Sequence, residues 1–318
     1  MPEVYIVILN YKKWQDTLEC LESVFRSLYH NFSVIVIDND SQNKSLEHLI
    51  QWAESNSINA QFTHGNTFSY TFLRSEDIND SISLASFPRL TFIQNNINAG
   101  YAGGINIALR FLQNHKVYVW LLNPDMVVAE NTLTELVEFT VQQPSDCIVG
   151  AEIRSFRDNQ KLLFYGGGKI NFFSATVREA GKPGDISRLD YISGGCLFTH
   201  AGNFKEYGLL PEEYFLYWEE TDWCYRAQKQ GCRLIVCPLA ICYDKISTVI
   251  GKSFMADYYY TRNGLLFISK YRKKNIPMVL FSAGLRFLKR VVTGRWNRAR
   301  GVFKGTMDFF KLKSNENK

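Results

Sequence analysis

Val117–Val128 reads VYVWLLNPDMVV, and the rest of the chain is organised around it. Val117 to Leu122 is an unbroken apolar and aromatic run, which fits a central strand covered on both faces. Pro124 has no N–H to give to a sheet ladder, so the strand stops at Asn123-Pro124-Asp125. Asp125 is thereby left on the loop at the carboxyl end of a strand, where open α/β sheets bind ligands. A carboxylate on that rim can take a divalent cation, and the cation can neutralise a diphosphate. The same residues also suit a plain turn in which Asp125 caps the next helix. Taken alone, they leave both readings open.

The flanking sequence supplies the sheet. Val4–Leu9 (VYIVIL) reads as a strand ending at Asn10-Tyr11, Trp14–Leu28 as an amphipathic helix, and Phe32–Ile37 (FSVIVI) as a strand ending in Asp38-Asn39-Asp40-Ser41. Strand, helix, strand with short joints is a βαβ unit, so the expected sheet is mostly parallel. Ser45–Glu54 follows as a helix and Leu90–Gln94 as a third strand, before the glycine stretch from Gly100 to Gly104 and a helix over Ile105–Leu112. Beyond the opening strand come a helix at Thr132–Gln142, strands at Cys147–Ile153, Arg233–Val236 and Ala240–Tyr243, and a helix running from the Glu219-Glu220-Thr221-Asp222 stretch to Lys229. Phe254–Tyr271 is a long aromatic helix with Arg262-Asn263 in its middle. Ser55–Pro88 holds seven serines and no sustained period, and reads as an insertion or long loop with some extended pieces.

Composition narrows the class. The chain has 318 residues, 46% hydrophobic and 21% charged, which is ordinary for a globular protein with a sizeable core. Its seven cysteines are odd in number and lack zinc-finger spacing, which predicts reduced thiols and a cytoplasmic protein. Met1 leads almost directly into a strand with no signal-like segment, and no apolar run is long enough to span a bilayer. Net charge is +5 but uneven: from Ser269 to the end there are 14 Lys+Arg against 2 Asp+Glu. A basic tail on a mildly acidic body predicts an anionic surface as partner rather than nucleic acid.

Acids and amides recur at strand ends: Asp38, Asp40, Asn123 and Asp125. On parallel strands they share one rim, where one acid can accept from a base N–H or a ribose hydroxyl and another can hold a metal. Individually, Asp38 and Asp40 also suit turn and cap formation. The Gly100–Gly104 stretch could turn backbone N–H groups to phosphate, but its GxxGG spacing after the third strand is not the dinucleotide fingerprint GxGxxG. Glu219 and Glu220 open a helix, where the macrodipole favours acids, and either could serve as a general base. Asp244 ends a strand and could turn to the same cation or pair with Lys245.

Seven stretches in order carry a family resemblance: VYIVILNYKKWQDTLECLESV, VIVIDNDSQ, NNINAGYAGGINIAL, VWLLNPDMVV, YISGGCLFT, YFLYWEETDWCYRAQKQG and YYYTRNGLLFISKY. Together they resemble the inverting GT-A-fold glycosyltransferases of family 2, and within them the bacterial rhamnosyltransferase-like branch. The resemblance implies a Rossmann-like, mostly parallel sheet flanked by helices, with a catalytic domain over 1–250 and a basic helical region over 251–318. The stretch 55–89 has no counterpart in that pattern. It implies that Leu9, Asn10 and Tyr11 lie by the nucleoside, that Asp38 and Asp40 contact base and ribose, and that Gly100, Gly103, Gly104 and Asn106 lie near the sugar nucleotide. Asn123 and Asp125 occupy the metal-binding motif, written NPD here, with Asp125 ligating Mg²⁺ or Mn²⁺. Glu220 falls at the catalytic base, commonly Asp in the family, and Glu219 is its neighbour and fallback. Asp244 aligns where the family often has a metal-ligating His.

The implied reaction moves a sugar, rhamnose as first choice, from a dTDP- or UDP-sugar to a hydroxyl of a cell-surface polysaccharide or its lipid-linked precursor. Phe281, Leu285, Leu288 and Val292 recur at helical spacing with Arg286, Lys289 and Arg290 between them. Such a helix suits the inner membrane face, or packing against the domain or a second copy. Two other readings stand beside this one. A sugar nucleotidyltransferase would carry a glycine-rich loop after the first strand, where this chain has LNYKKW. A non-catalytic sugar-binding or scaffolding relative would tolerate the departures at Glu220 and Asp244.

Overall fold

The computed structural model describes residues 1–56, 69–78, 84, 87–144, 146–158, 161–185, 187–245 and 251–316. Much of the expected insertion, including 57–68, therefore lies outside the described residues.

In chain order the amino-terminal half runs β1 (Val4–Asn10), α1 (Trp14–Phe25), β2 (Phe32–Asn39), α2 (Ser45–Asn56), β3 (Tyr70–Arg74), β4 (Leu90–Asn95), α3 (Gly100–Leu112), β5 (Tyr118–Leu122), β6 (Met126–Val128) and α4 (Thr132–Val141). The second half runs β7 (Cys147–Ser155), β8 (Leu162–Tyr165), β9 (Gly167–Asn171), β10 (Thr176–Glu179), β11 (Tyr191–Ile192), β12 (Cys196–His200), α5 (Gly202–Glu206), α6 (Glu219–Lys229), β13 (Arg233–Asp244), α7 (Phe254–Tyr271), α8 (Ile276–Val292) and α9 (Trp296–Glu316).

The large sheet has the order β3-β4-β2-β1-β5-β12-β7-β13-β6, with β8 added beside β7. From β3 to β5 every pairing is parallel. β12 is antiparallel to both β5 and β7, and β13 returns parallel to β7. The carboxyl ends of β1, β2, β4 and β5 thus share one rim, which ends in Asn10, Asn39, Asn95 and Leu122. A small sheet, β10-β9-β11, has its own ladder and packs against β7, where a Cβ on Gly150 would stand 3.0 Å from the Ile192 side chain.

Strand alternation divides the core. Tyr5, Val7 and Leu9 face α3, while Val4, Ile6 and Ile8 face the α1 and α4 side, and all are buried. Trp120 and Leu121 split the same way, as a strand covered on both faces requires.

Two local readings change. α3 begins at Gly100 rather than Ile105, so the glycines form its first turns. Arg233–Val236 and Ala240–Tyr243 belong to one strand, β13, whose register shifts between Cys237 and Ile241. The bulge takes up the residues around Pro238 that looked like a break, because Pro238 has no N–H for the ladder.

α7 buries Leu265, Leu266, Phe267 and Ile268 in the main core. α9 crosses it closely: a Cβ on Gly301 would stand 2.5 Å from the Phe254 carbonyl oxygen, and one on Gly305 the same distance from that of Tyr258. Among the described residues no helix is long and apolar enough to cross a membrane.

Candidate active site

The Asn123-Pro124-Asp125 turn is closed by the Met126 N–H, which donates to the Asn123 carbonyl at 3.1 Å. The Asn123 N–H donates to the Gly195 carbonyl at 3.1 Å, which ties the turn to the start of β12. Asp125 lines a cleft of about 410 Å³ at the carboxyl rim, together with Leu9, Tyr11, Asn39, Gly100 and Asn123. The far wall is Phe215, Leu216 and Tyr217 from the segment before α6, with Met255 and Tyr259 from α7.

That segment is strained. Phe215, Tyr217 and Trp218 have φ of 64°, 63° and 81°, in the left-handed region that costs non-glycine residues about 1 kcal/mol or more each. Packing and hydrogen bonds over-determine it. The Asn263 amide, fully buried on α7, donates to the carbonyls of Tyr214 (2.7 Å), Leu216 (2.6 Å) and Tyr217 (3.0 Å). Arg262 adds a bond to Tyr214 at 2.8 Å. Gly100 makes the crossing with α3 possible: its φ is +73°, and a Cβ there would lie 2.3 Å from the Phe215 carbonyl oxygen.

The strained segment delivers Glu219 and Glu220 to the first turn of α6. Glu219 is 4% exposed and its Oε2 has no hydrogen-bond partner. Burial, and then the charge of Glu220, push its carboxyl well above the usual range. Glu220 lines a second cleft of about 380 Å³, which meets the first at Tyr217. Burial raises its carboxyl as well, against the N–H groups of Glu220, Thr221 and Gly194, which favour its charged form. Tyr101 feels all three acids: burial raises its phenol far above normal, and the charges of Glu220, Glu219 and Asp125 all add to that rise. Its hydroxyl donates to the Gly194 carbonyl at 3.1 Å.

Other sequence-selected residues act as braces. Asp38 is 2% exposed; it accepts from Asn10 Nδ2 at 2.6 Å, from Ser41 N–H at 3.0 Å and Oγ at 2.6 Å, and from Gln94 Nε2 at 3.2 Å. The structure does not bring Asp38 to the cleft; its partner Asn10 is equally enclosed. The reason is geometric: Asp38 and Asn39 are neighbours on β2, so their side chains leave opposite faces of the sheet, and it is Asn39 that lines the cleft while Asp38 turns to Asn10, its partner in register. Asp40 has φ 59° and joins Asp38 along a separate depression over 38–47. Asn106 is buried and braces the chain before the strained segment, donating to the Leu210 carbonyl and to Glu212, both at 2.8 Å. Gly103 and Gly104 face Ala99 and Leu9 as packing positions.

Asp244 is the ladder partner of Met126, so its backbone adjoins the Asp125 turn, and its charge reaches Glu179. Lys245 does not serve as its partner: the ammonium goes to Asp16 at 3.2 Å and to Glu19. Among the described residues no three His, Cys, Asp or Glu side chains gather into a metal cage. One carboxylate on an open cleft nevertheless fits Mg²⁺ or Mn²⁺, which commonly bind one or two carboxylates and complete their shell with phosphate oxygens and water.

Sequence reasoning passed over Asn39, Tyr101, Phe215, Tyr217 and Asn263. Asn263 left a signal, a polar side chain inside an apolar helix, whereas the left-handed backbone at 215–218 leaves none.

A mostly parallel sheet whose rim carries a ligand cleft with one carboxylate, joined to a second cleft with another, is the arrangement of a GT-A glycosyltransferase. The family profile described as Glycosyl transferase family 2 matches residues 5–67 and 74–185. The chain belongs to that family. It is 21% identical over 322 residues to the low-salt glycan biosynthesis hexosyltransferase Agl10 of Haloferax volcanii, covering 97% of this chain and 88% of that protein. Among solved structures it resembles the mannosyltransferase PcManGT of Pyrobaculum calidifontis in complex with GDP-Man and Mn²⁺, with a TM-score of 0.56, 12% identity and coverage of 97% of this chain and 87% of that one. It also resembles TarS 1–349 of S. aureus, with a TM-score of 0.53, 14% identity and coverage of 88% and 71%.

Proposed function

We propose that this glycosyltransferase inverts the anomeric centre as it moves a sugar from a nucleoside diphosphate to a hydroxyl of a cell-surface glycan or its lipid-linked precursor. The observation that carries this reading is that Asp125 lines one cleft and Glu220 the other, that Tyr217 lines both, and that the charges of Asp125, Glu219 and Glu220 all act on the Tyr101 phenol. The donor takes the first cleft, its nucleoside by Leu9 and Tyr11, with Asp40 on the outer side. The acceptor takes the second.

Asp125 is the residue to hold Mg²⁺ or Mn²⁺, with Asp244 as the neighbouring candidate. When bound, the ion supplies positive charge to the departing diphosphate. Glu220 takes the proton from the acceptor hydroxyl as that oxygen attacks the anomeric carbon. The bond to the diphosphate oxygen breaks on the opposite side, so configuration inverts in one displacement. A carboxylate raised by burial is a stronger base than a solvated one, which suits this task near neutral pH. The strained turn and Asn263 orient the carboxylate.

Rhamnose carried on dTDP is the first choice of donor, with UDP-sugars as alternatives. A catalytic body over 1–250 and a basic helical region over 251–318 is the working division, with α7 docking the second on the first. The exposed apolar residues of α8 and α9, among them Phe281, Leu285, Trp296 and Phe303, lie among Lys and Arg side chains, and suit an anionic membrane surface on the cytoplasmic side. The same faces could instead meet in a homo-oligomer.

A screen of nucleotide sugars by thermal shift, with and without Mn²⁺, tests the reading, because a bound donor raises the melting temperature. A metal-dependent shift with one donor, followed by glycoside formation, is the expected result. Release of inorganic pyrophosphate with no glycoside would point instead to nucleotidyl transfer.

A further inference from the structure

Part of the second cleft's wall comes from the small sheet: Val177 and Glu179 of β10 and Tyr191 of β11 line it beside Glu220. The register sets Glu179 opposite Gly168 of β9, and Gly168 opposite Tyr191. Residues in one row across a sheet leave it on the same face, so Glu179 and Tyr191 point the same way with a glycine between them. That glycine makes room: a Cβ at 168 would stand 2.9 Å from the Tyr191 hydroxyl oxygen. The Tyr191 ring therefore reclines over β9, which carries its hydroxyl towards Glu179. Tyr191 is 5% exposed, and among the described residues neither it nor Glu179 has a side-chain hydrogen bond or an ion pair. Burial raises the Tyr191 phenol, and the charges of Glu179 and then Glu220 raise it further, so the hydroxyl keeps its proton. The third acid on the wall, Asp257, is already matched by Arg290 and Arg298. The remaining cation there, Lys252, is exposed.

A carboxylate only accepts hydrogen bonds and a protonated phenol donates one, whereas a sugar hydroxyl does both. One hydroxyl therefore satisfies the pair at once. An anionic group would meet Glu179 as a like charge, which costs affinity. We infer that Glu179 and Tyr191 bind one hydroxyl of a neutral acceptor sugar, next to the hydroxyl that Glu220 deprotonates. This inference rests on the glycosyl-transfer reading and names the class of sugar that the acceptor presents: uncharged, with a second free hydroxyl near the reacting one. The pair holds the ring while Glu220 does the chemistry, so it selects the acceptor rather than the donor.

The test uses the full chain with Mn²⁺ and the nucleoside diphosphate of the donor found by thermal shift, which fills the first cleft. The probes are methyl glucoside, methyl galactoside and methyl mannoside, with binding read by saturation-transfer NMR. At least one should bind saturably, and its uronate counterpart at least about tenfold more weakly. Monodeoxy analogues of the tightest probe then locate the contact: loss of one particular hydroxyl should cost about tenfold. In Glu179→Ala that cost should fall below about twofold, and Tyr191→Phe should reduce it at the same position, while the costs at other positions persist. Each is a ratio within one variant, so lost stability does not imitate it. Arg178→Gln, one residue back and therefore on the opposite face of β10, should keep the whole pattern. The inference is overturned if no pyranoside binds, if the uronate binds equally, or if Glu179→Ala leaves the deoxy pattern unchanged. It is also overturned if Tyr191→Phe acts at a different hydroxyl, or if Arg178→Gln has the same effect as Glu179→Ala. Donor hydrolysis with Mn²⁺ by the unaltered chain reports on glycosyl transfer separately. Hydrolysis without the binding pattern strikes only this inference; the binding pattern without hydrolysis strikes the glycosyl-transfer reading and, with it, the acceptor role of the pair.

Discussion

The Asn263 side-chain amide donates to the Leu216 carbonyl at 2.6 Å, joining the middle of α7 to the strained segment that presents Glu219 and Glu220. Three carbonyls share its two N–H groups, so this one side chain opposes the left-handed strain next to it. Asn263→Ala leaves those carbonyls without their donor in a dry site, at a cost of about 1–3 kcal/mol. Because the loss falls on the segment before the base, transfer should drop by more than the melting temperature suggests. Comparing single-turnover rates with chemical denaturation, at matched folded fraction, checks this. Equal losses in both would reduce Asn263 to a packing residue.

Glu220→Gln removes the proton acceptor and keeps the shape. We expect transfer to fall by about 10²–10⁴-fold, with donor affinity within about threefold of normal. The pH profile carries the same information. Burial raises the Glu220 carboxyl above its ordinary range, so the acid limb of the rate should lie above the ordinary value of 4.5. If Glu220→Gln transfers normally and Glu219→Gln does not, the base is the other carboxylate.

Glu219 makes a separate prediction about stability. Its folded-state pKa is raised by burial and by Glu220, so the folded protein holds this proton more tightly than the unfolded chain does. The contribution to stability is then full below the unfolded-state value and is lost as pH rises towards the folded-state value. Glu219→Gln cannot ionise and should escape that loss. Its melting temperature relative to the unaltered chain should increase from acid pH towards neutral pH. A difference independent of pH would mean that Glu219 is already charged in the fold.

The parallel half of the sheet was readable because buried central strands are continuous apolar runs, and because Pro124 marks where β5 must end. The position of Asp125 followed from the same two facts. Asp38 was not readable in the same way. A strand-end acid looks alike in sequence whether it faces a ligand or a neighbouring Asn10, and only the register of β1 against β2 separates the two. The role of Asn263 depends on a contact 46 to 49 residues away in sequence, to backbone carbonyls that carry no side-chain signal. The bulge in β13 was hidden because Pro238 ends most strands and here sits inside one.

Asp125→Asn removes the charge on the donor cleft without altering its volume. The thermal shift produced by a nucleotide sugar with Mn²⁺ should shrink to the shift seen without metal. Nucleotide binding in EDTA should change by less than about threefold, since Leu9, Tyr11 and Asn39 are untouched. A metal response that survives in this variant but disappears in Asp244→Asn would move the ion to the end of β13.

Asp222 tests whether nearness to the acids in sequence implies a share in the chemistry. It lies two residues beyond Glu220 in the same helical turn, yet it points the other way. It is fully buried and accepts from the hydroxyls of Tyr214 and Tyr271, both at 2.5 Å, and from Lys270 Nζ at 2.8 Å. Breaking a wholly buried ion pair costs about 3–5 kcal/mol. Lys270, however, is 38% exposed and has a second partner in Glu213, so it is not stranded when Asp222 loses its charge. Asp222→Asn should therefore cost less, about 2–3 kcal/mol, mostly as lost charge-assisted hydrogen bonds. Turnover per folded molecule should stay within about threefold, since Asn263 still holds the segment that carries Glu220. Denaturation curves and active-site titration at one temperature separate the two quantities. A variant that melts normally but does not turn over would place Asp222 in the reaction.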